Sequence, residues 1–484
     1  MHDLPFRSAL DLALAIRERR IGCRELLDLH IARVERLDPR LNAVVVRDFD
    51  RARARADAAD AALARGEAWG PLHGLPMTVK ESFDIAGLPT TWGLPELRDS
   101  RAEGNAVAVE RLLGAGAVIF GKTNVPLLLA DWQSFNAIHG TTNNPWDLSR
   151  SPGGSSGGSA AALAAGLSAL ELGSDIGASI RNPAHYCGVF GHKPTWGICP
   201  PRGQALDGNL AETDIAVIGP LARSAGDLAA ALGIIAGPDA IEAVGWRLAL
   251  PPPRRTRLAD WRVAVMLDDR NAEVDAPVQE AIARLADFLA ARGATVSRTA
   301  RPEVDTDEAA ALYIRLLRAA TSARIPPEAF AAQQAEARAL APEDESYRAR
   351  MLRANTLFHR DWLAANERRQ RMRRAWAAFF RDWDLLLCPA AASAAVPHDQ
   401  AGERWERRIT VNGRAVPATD QLFWAGFSGM AYLPSTVAPV GDSPEGLPIG
   451  VQIVGPQYED LSCIEFARQI EAEWRGFTPP PGFA

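Results

Sequence analysis

"SPGGSSGGSAAALAAG", residues 151–166, crowds glycines and serines ahead of an alanine-rich stretch. Such a run can be a flexible linker, a backbone cradle for phosphate, or a rigid shelf that presents a serine for catalysis. A linker would divide the chain at this point, whereas a shelf would lie inside one folded body. The flanking segments decide between them.

Upstream, "LPMTVK" (75–80) and "AVIFGKTN" (117–124) are short apolar strands punctuated by Gly and Pro, with a helix over 105–114 between them. This alternation predicts an α/β sheet. Before it come two helices, 8–19 and 24–38, broken at Gly22, and a charged helix over 50–66 that reads as a solvated face. Ser8 and Asp11 have capping-box spacing at the first helix. After the serine run the pattern gives a helix at 159–169 and a strand "VAVML" at 263–267. A helix follows, carrying Val278, Ile282, Leu285 and Leu289, then a strand "ATVSR" at 294–298. Residues 303–380 are mostly helical and charged, including "NERRQRMRRAW" (366–376), read as a solvated helix face. Two buried strands, "YLPSTVAPVG" and "GLPIGVQIVGP", and a helix at 460–474 close the chain. No internal repeat is present. An apolar strand near each end predicts one closed sheet.

Length alone, 484 residues, would suggest two or three domains. The best internal boundary, Pro251, Pro252 and Pro253 followed by "RRTR", reads as a surface loop. The expectation is therefore one domain over 1–484, with a core of about 65–240 and 385–475 and a helical cap of about 300–380. Apolar residues at 47% and charged residues at 23% exclude a disordered chain. A net charge of −6 gives no general pull toward nucleic acid or an anionic membrane. Cys23, Cys187, Cys199, Cys388 and Cys463 are scattered and form no C-x-x-C pair, which fits a reducing cytoplasm and no zinc site. The first residues, with Asp3 and Asp11, read as a helix start and not a signal peptide. No apolar run is long enough for a transmembrane helix.

Two motifs match by letter and fail by physics. "GAVIFGKT" (116–123) has the phosphate-loop pattern, but its variable positions are strand residues and Pro126 follows at once, so no helix opens at the lysine. "GSSGG" (154–158) has the nucleophile-elbow pattern with Ser156 as nucleophile. That elbow needs a preceding strand, and "NNPWDLSRSP" is a turn-rich loop. His185, His192, His359 and His398 lie downstream, but none sits in a recognisable catalytic setting.

A third constellation survives. In "LGSDIGASIRNPAHYCGVFGHKPT" (172–195), small residues before Ser179 leave backbone N–H groups sterically open, as an oxyanion hole requires. In "GPLHGLPMTVKESFDIAG" (70–87), Lys80 follows an apolar strand, and burial there would penalise its charged form.

Together these segments resemble the amidase signature family of serine hydrolases. The resemblance is strong over 70–225, extends to "NPWD", "GHKPT" and "GLPIGVQIVGP", and weakens between 240 and 425. It implies a mixed, twisted central β-sheet covered by α-helices. It implies Ser179 as nucleophile, Ser155 as relay held by a cis peptide bond from Gly154, and Lys80 as terminal base. The amides of Ile176, Gly177, Ala178 and Ser179 would form the oxyanion hole, and Ser156, Asp175 and Arg181 would orient the triad from behind. No metal or organic cofactor is implied. The family usually has Gly-Gly-Ser before the nucleophile. Here Ala178 stands in that place, and its methyl group would narrow the hole or demand a negative φ.

The expected activity is stand-alone hydrolysis of neutral amides bearing apolar or aromatic groups. Urethane or aryl-acylamide and ester hydrolysis is the alternative, and a component of a tRNA-dependent glutamine amidotransferase the third reading. Phe423, Trp424, Phe427, Met430 and Tyr432 are the expected apolar wall of the substrate site. The expected partner is the small-molecule amide or carbamate itself, with a homodimer admissible and neither nucleic acid nor membrane involved.

Overall fold

The computed structural model describes residues 4–206 and 209–484, so Asp3 lies outside the described residues. An eight-stranded mixed sheet forms the centre, in the order Thr295–Ser297, Arg262–Val265, Leu385–Pro389, Pro448–Val454, Ser435–Asp442, Phe190–Lys193, Val217–Ala222 and Glu171–Asp175. The first two pairings are parallel and the rest antiparallel. Its middle strands, Leu385–Pro389 and Pro448–Val454, are buried throughout, as a sheet covered on both faces requires. Helices cover it, among them Ala276–Ala291, whose Val278, Ile282, Leu285 and Leu289 all point into the core.

The expectation of one closed sheet is corrected. The strands Val44–Arg47, Val118–Thr123 and Pro76–Lys80 form a separate three-stranded sheet that stands beside the Glu171–Asp175 edge. Side chains replace the backbone ladder at that junction. The Thr78 amide donates to Ser168 Oγ at 3.0 Å, and the Thr78 hydroxyl donates to the Glu171 carboxyl. Burial raises the Glu171 carboxyl to about 8, so it is largely protonated at neutral pH.

The serine run is a shelf and not a linker, because every residue from Ser151 to Gly166 is buried. Its glycines allow close approach. A side chain on Gly154 would meet the Asp131 carbonyl, and one on Gly158 the Asn124 backbone. The helix after it spans Gly157–Ala164, shorter than expected, and stops at Gly166 with φ +67°. The phosphate-loop lookalike is strand Val118–Thr123, fully buried.

Two charged helices are less exposed than their sequences suggest. Phe49–Ala64 buries Ala52, Ala56, Ala59 and Ala62 along one face. In His359–Asp382, Arg369 is buried, pairs with Asp214 at 2.8 Å and stacks on Tyr432. Helix Thr306–Thr321 packs on the loop around Ala178 through Leu312, Tyr313, Leu316 and Leu317. All five cysteines are free and buried. No described helix is long and apolar enough to cross a membrane.

Candidate active site

Lys80 is the last residue of its strand, and its side chain crosses the junction between the two sheets. Its Nζ lies 2.7 Å from Ser155 Oγ, 2.9 Å from Ser156 Oγ and 3.0 Å from Ser174 Oγ. Burial pushes the ammonium down to about 7, against the opposing pull of the Asp175 carboxylate. At pH 7 about half the molecules then carry a neutral amine, against roughly one in three thousand for an ordinary lysine. The Gly154–Ser155 peptide bond is cis.

Ser155 and Ser179 both line a cavity of about 820 Å³. Their backbones are joined through Ser156, whose amide donates to the Ser179 carbonyl at 3.1 Å. Ser156 itself is fully buried, and its hydroxyl faces Lys80 and the Ser174 carbonyl, which removes the elbow reading. Of the histidines, His398 lines the same cavity but its Nε2 is hydrogen-bonded to Asn143 Oδ1 at 3.1 Å, and His359 is exposed. His185 Nδ1 accepts the Gly450 amide at 2.8 Å while its Nε2 faces the Ser393 carbonyl, and His192 lies between Thr436 and Asp460.

Asp175 organises the loop that carries Ser179. Its carboxylate accepts from the amides of Ala178 and Ile180 at 3.0 Å each, and from Arg181 Nε at 3.0 Å and Nη2 at 2.8 Å. Burial works against its charge, but Arg181 and these amides hold the carboxyl below the usual range. Arg181 is in turn anchored by Gln452 Oε1 at 2.6 Å, Ser428 Oγ and the Ala425 carbonyl. Asp175 and Arg181 thus lie on the side of the loop facing the protein interior.

Of the four amides expected to face an oxyanion, Ala178 is already committed to Asp175. Those of Ile176, Gly177 and Ser179 have no hydrogen-bond partner among the described residues. Of the two outcomes open to Ala178, a negative φ is not the one adopted: it sits at φ +70°, in the left-handed region usual for glycine. Two side chains from segments without any motif fix the loop. Trp132 Nε1 donates to the Gly177 carbonyl at 2.6 Å and the Tyr313 hydroxyl to the Ile176 carbonyl at 2.9 Å, turning those peptides. Ser174 is the other residue that sequence reading missed, although it sits beside Asp175 in the same strand.

The expected apolar wall is not there. Phe423, Trp424 and Phe427 stack into the core with Trp376, and Tyr432 stacks on Trp196. Met430 packs in a second buried cluster with Tyr432. An apolar helix buried on all sides reads in sequence like a pocket wall. The cavity takes its apolar surface from Leu128, Leu129, Trp132, Ile176, Leu317 and Leu422 instead.

Ser155, Ser179 and the loop of Ile176 and Gly177 thus share one cavity, with the buried Lys80 behind Ser155. The Amidase family model matches residues 25–464, and the chain belongs to that family. It is 32% identical to an acylamidase of Rhodococcus erythropolis over 97% of this chain and 96% of that one. It is also 32% identical to a glutamyl-tRNA(Gln) amidotransferase subunit of Anaeromyxobacter sp. (strain K), over 95% of each chain. A solved inhibitor-bound chain, from a vestigial complex tied to the origins of an s-triazine catabolic enzyme, superposes with a TM-score of 0.81. That chain shares 30% identity, over 98% of this chain and 100% of its own. The protein is an amide hydrolase of this family, acting on C–N bonds.

Proposed function

We propose that the chain works alone as a serine amidohydrolase, through an acyl-enzyme on Ser179. The observation that carries this is Lys80, buried, with a pKa near 7 and 2.7 Å from Ser155. Neutral Lys80 takes the Ser155 proton as Ser155 takes that of Ser179, and Ser179 Oγ forms a bond to the substrate carbonyl carbon. The amides of Ile176, Gly177 and Ser179 receive the developing oxyanion. The relay then returns the proton to the leaving nitrogen as the C–N bond breaks, and water repeats the cycle on the ester. Asp175 and Arg181 keep the loop in place.

The substrate carries an apolar or aromatic group beside the scissile bond, supported by Leu128, Trp132, Ile176 and Leu422 around the cavity. Aryl carbamates present the same kind of carbonyl and belong to the same reading. The test compares kcat/KM for an anilide, an aryl carbamate and glutamine, with mass analysis after a fluorophosphonate. Turnover of the anilide or carbamate above glutamine, with label on Ser179, is expected. Likeness to a tRNA-dependent amidotransferase favours a second reading, which would be adopted if activity appeared only with glutamine and an added partner protein.

A further inference from the structure

The cavity that holds Ser179 is also lined by Arg318, Arg324 and Arg404. Arg318 comes from helix Thr306–Thr321, Arg324 from the turn Ser322–Arg324, and Arg404 from the loop before strand Arg408–Val411. Among the described residues none of the three pairs with a carboxylate. Arg324 lies 4.8 Å over the Trp92 ring. Arg318 lies over Tyr347, donates to its hydroxyl, and leaves its buried Nε without a hydrogen-bond partner. Arg404 donates to the Ala130 carbonyl.

Neighbouring groups are treated differently. Arg407, on the same wall, is neutralised by Asp131 at 2.6 Å, and Asp175 is matched by Arg181. Asp275 accepts the Asn412 amide, while Asp399 and Glu445 are exposed. Burial lowers the pKa of Arg324, and burial together with the Arg318 charge lowers that of Arg404, against the opposing pull of the Asp131 carboxylate that Arg407 already pairs with. A guanidinium does not escape by losing its proton, so three charges remain without an ion pair of their own. All three are half-buried, and a charge partly removed from water without a paired partner is offset by a bound anion. The backbone beside them is also strained, since Trp92, Leu128 and Leu129 line the cavity at φ +52°, +55° and +57°. Strain of this kind gathers at ligand sites.

We propose that the amide substrate carries a carboxylate, bound by Arg318, Arg324 and Arg404 away from the scissile bond. This rests on the acyl-enzyme reading above and replaces the expectation of a wholly neutral substrate. Guanidinium groups pair with carboxylates through two parallel hydrogen bonds, which fixes orientation as well as affinity. The same three charges repel an ammonium, so glutamine, which carries one beside its carboxylate, fits poorly.

The test uses matched pairs on the full chain: glutaric acid monoanilide against its methyl ester, and 4-(acetylamino)benzoate against acetanilide. At least one carboxylate member is expected to exceed its neutral partner by about tenfold or more in kcat/KM, mainly through KM. In Arg324→Gln and Arg404→Gln that ratio falls toward one. A second readout needs no turnover: the carboxylate amides slow fluorophosphonate labelling of Ser179 at lower concentrations than their neutral partners do. Neutral partners equal or better in both readouts overturn the proposal. Failure to label Ser179 at all, with none of the amides hydrolysed, overturns the acyl-enzyme reading instead.

Discussion

Asp175 accepts the Ala178 amide at 3.0 Å, so a backbone donor that could face substrate faces the protein instead. The carboxylate that makes this bond is itself paired with Arg181 at 2.8 Å, with both side chains out of solvent. Asp175→Asn leaves the Arg181 charge buried without its counter-charge, which costs about 3–5 kcal/mol. A large fall in Tm in thermal unfolding is the expected outcome, with activity lost in whatever folds. An unchanged Tm would remove Asp175 from its organising role.

Ser179→Ala is expected to lower kcat/KM by about 10³-fold or more and to abolish fluorophosphonate labelling. Ser156 takes no label, since its hydroxyl faces Lys80 and not the cavity. Label on Ser156 in the peptide map, with Ser179→Ala still active, would reverse the assignment.

In the proposed relay the working form of Lys80 is the neutral amine, and its pKa is lowered to about 7 by burial. The neutral fraction grows as pH rises, so kcat/KM climbs through a limb near pH 7 and levels above it. The pH–rate profile checks this. A limb above pH 9 would mean an ordinary, solvated lysine. Lys80→Ala is expected to cost about 10³-fold, more than any histidine variant, and chelators to have no effect.

Ala178 sits at φ +70°. Ala178→Gly relieves that conformation and is expected to keep activity within about threefold, whereas Ala178→Val adds a branched side chain there and costs about 2 kcal/mol or more. Urea unfolding and steady-state rates on both variants check the pair. Equal stability for Val and Gly would remove the conformational argument.

The single-domain proposal is tested by limited proteolysis. Cleavage near 251–256 is expected without release of an active fragment. The eight-stranded sheet takes strands from both sides of that loop, Glu171–Asp175 before it and Arg262–Val265 after it. An independently folded, active 1–240 would refute the proposal.

The strands and helices read correctly where apolar spacing was regular, as at Val278, Ile282, Leu285 and Leu289. The site was legible where chemistry sat in contiguous motifs: Lys80 and Ser155 do meet, as the resemblance implied. What was not legible came from distant segments. Trp132 and Tyr313 reach the nucleophile loop across 45 and 137 residues of chain, and no periodicity marks them. The arginines of the cavity were hidden because an arginine on a charged helix looks the same whether it meets water, a carboxylate or a substrate. Phe423, Trp424 and Phe427 failed for the mirror reason, since core and pocket wall share one composition.

The two sheets meet edge to edge through Thr78, Ser168 and Glu171 and not through a ladder. Lys80 belongs to one and Asp175, with its loop, to the other. Thr78, Ser168 and Glu171 are all buried, so the seam is sealed from water, and the contacts of Lys80 with Ser155 and Ser174 span it. Whatever shifts one sheet against the other moves the lysine relative to its serines without altering either residue.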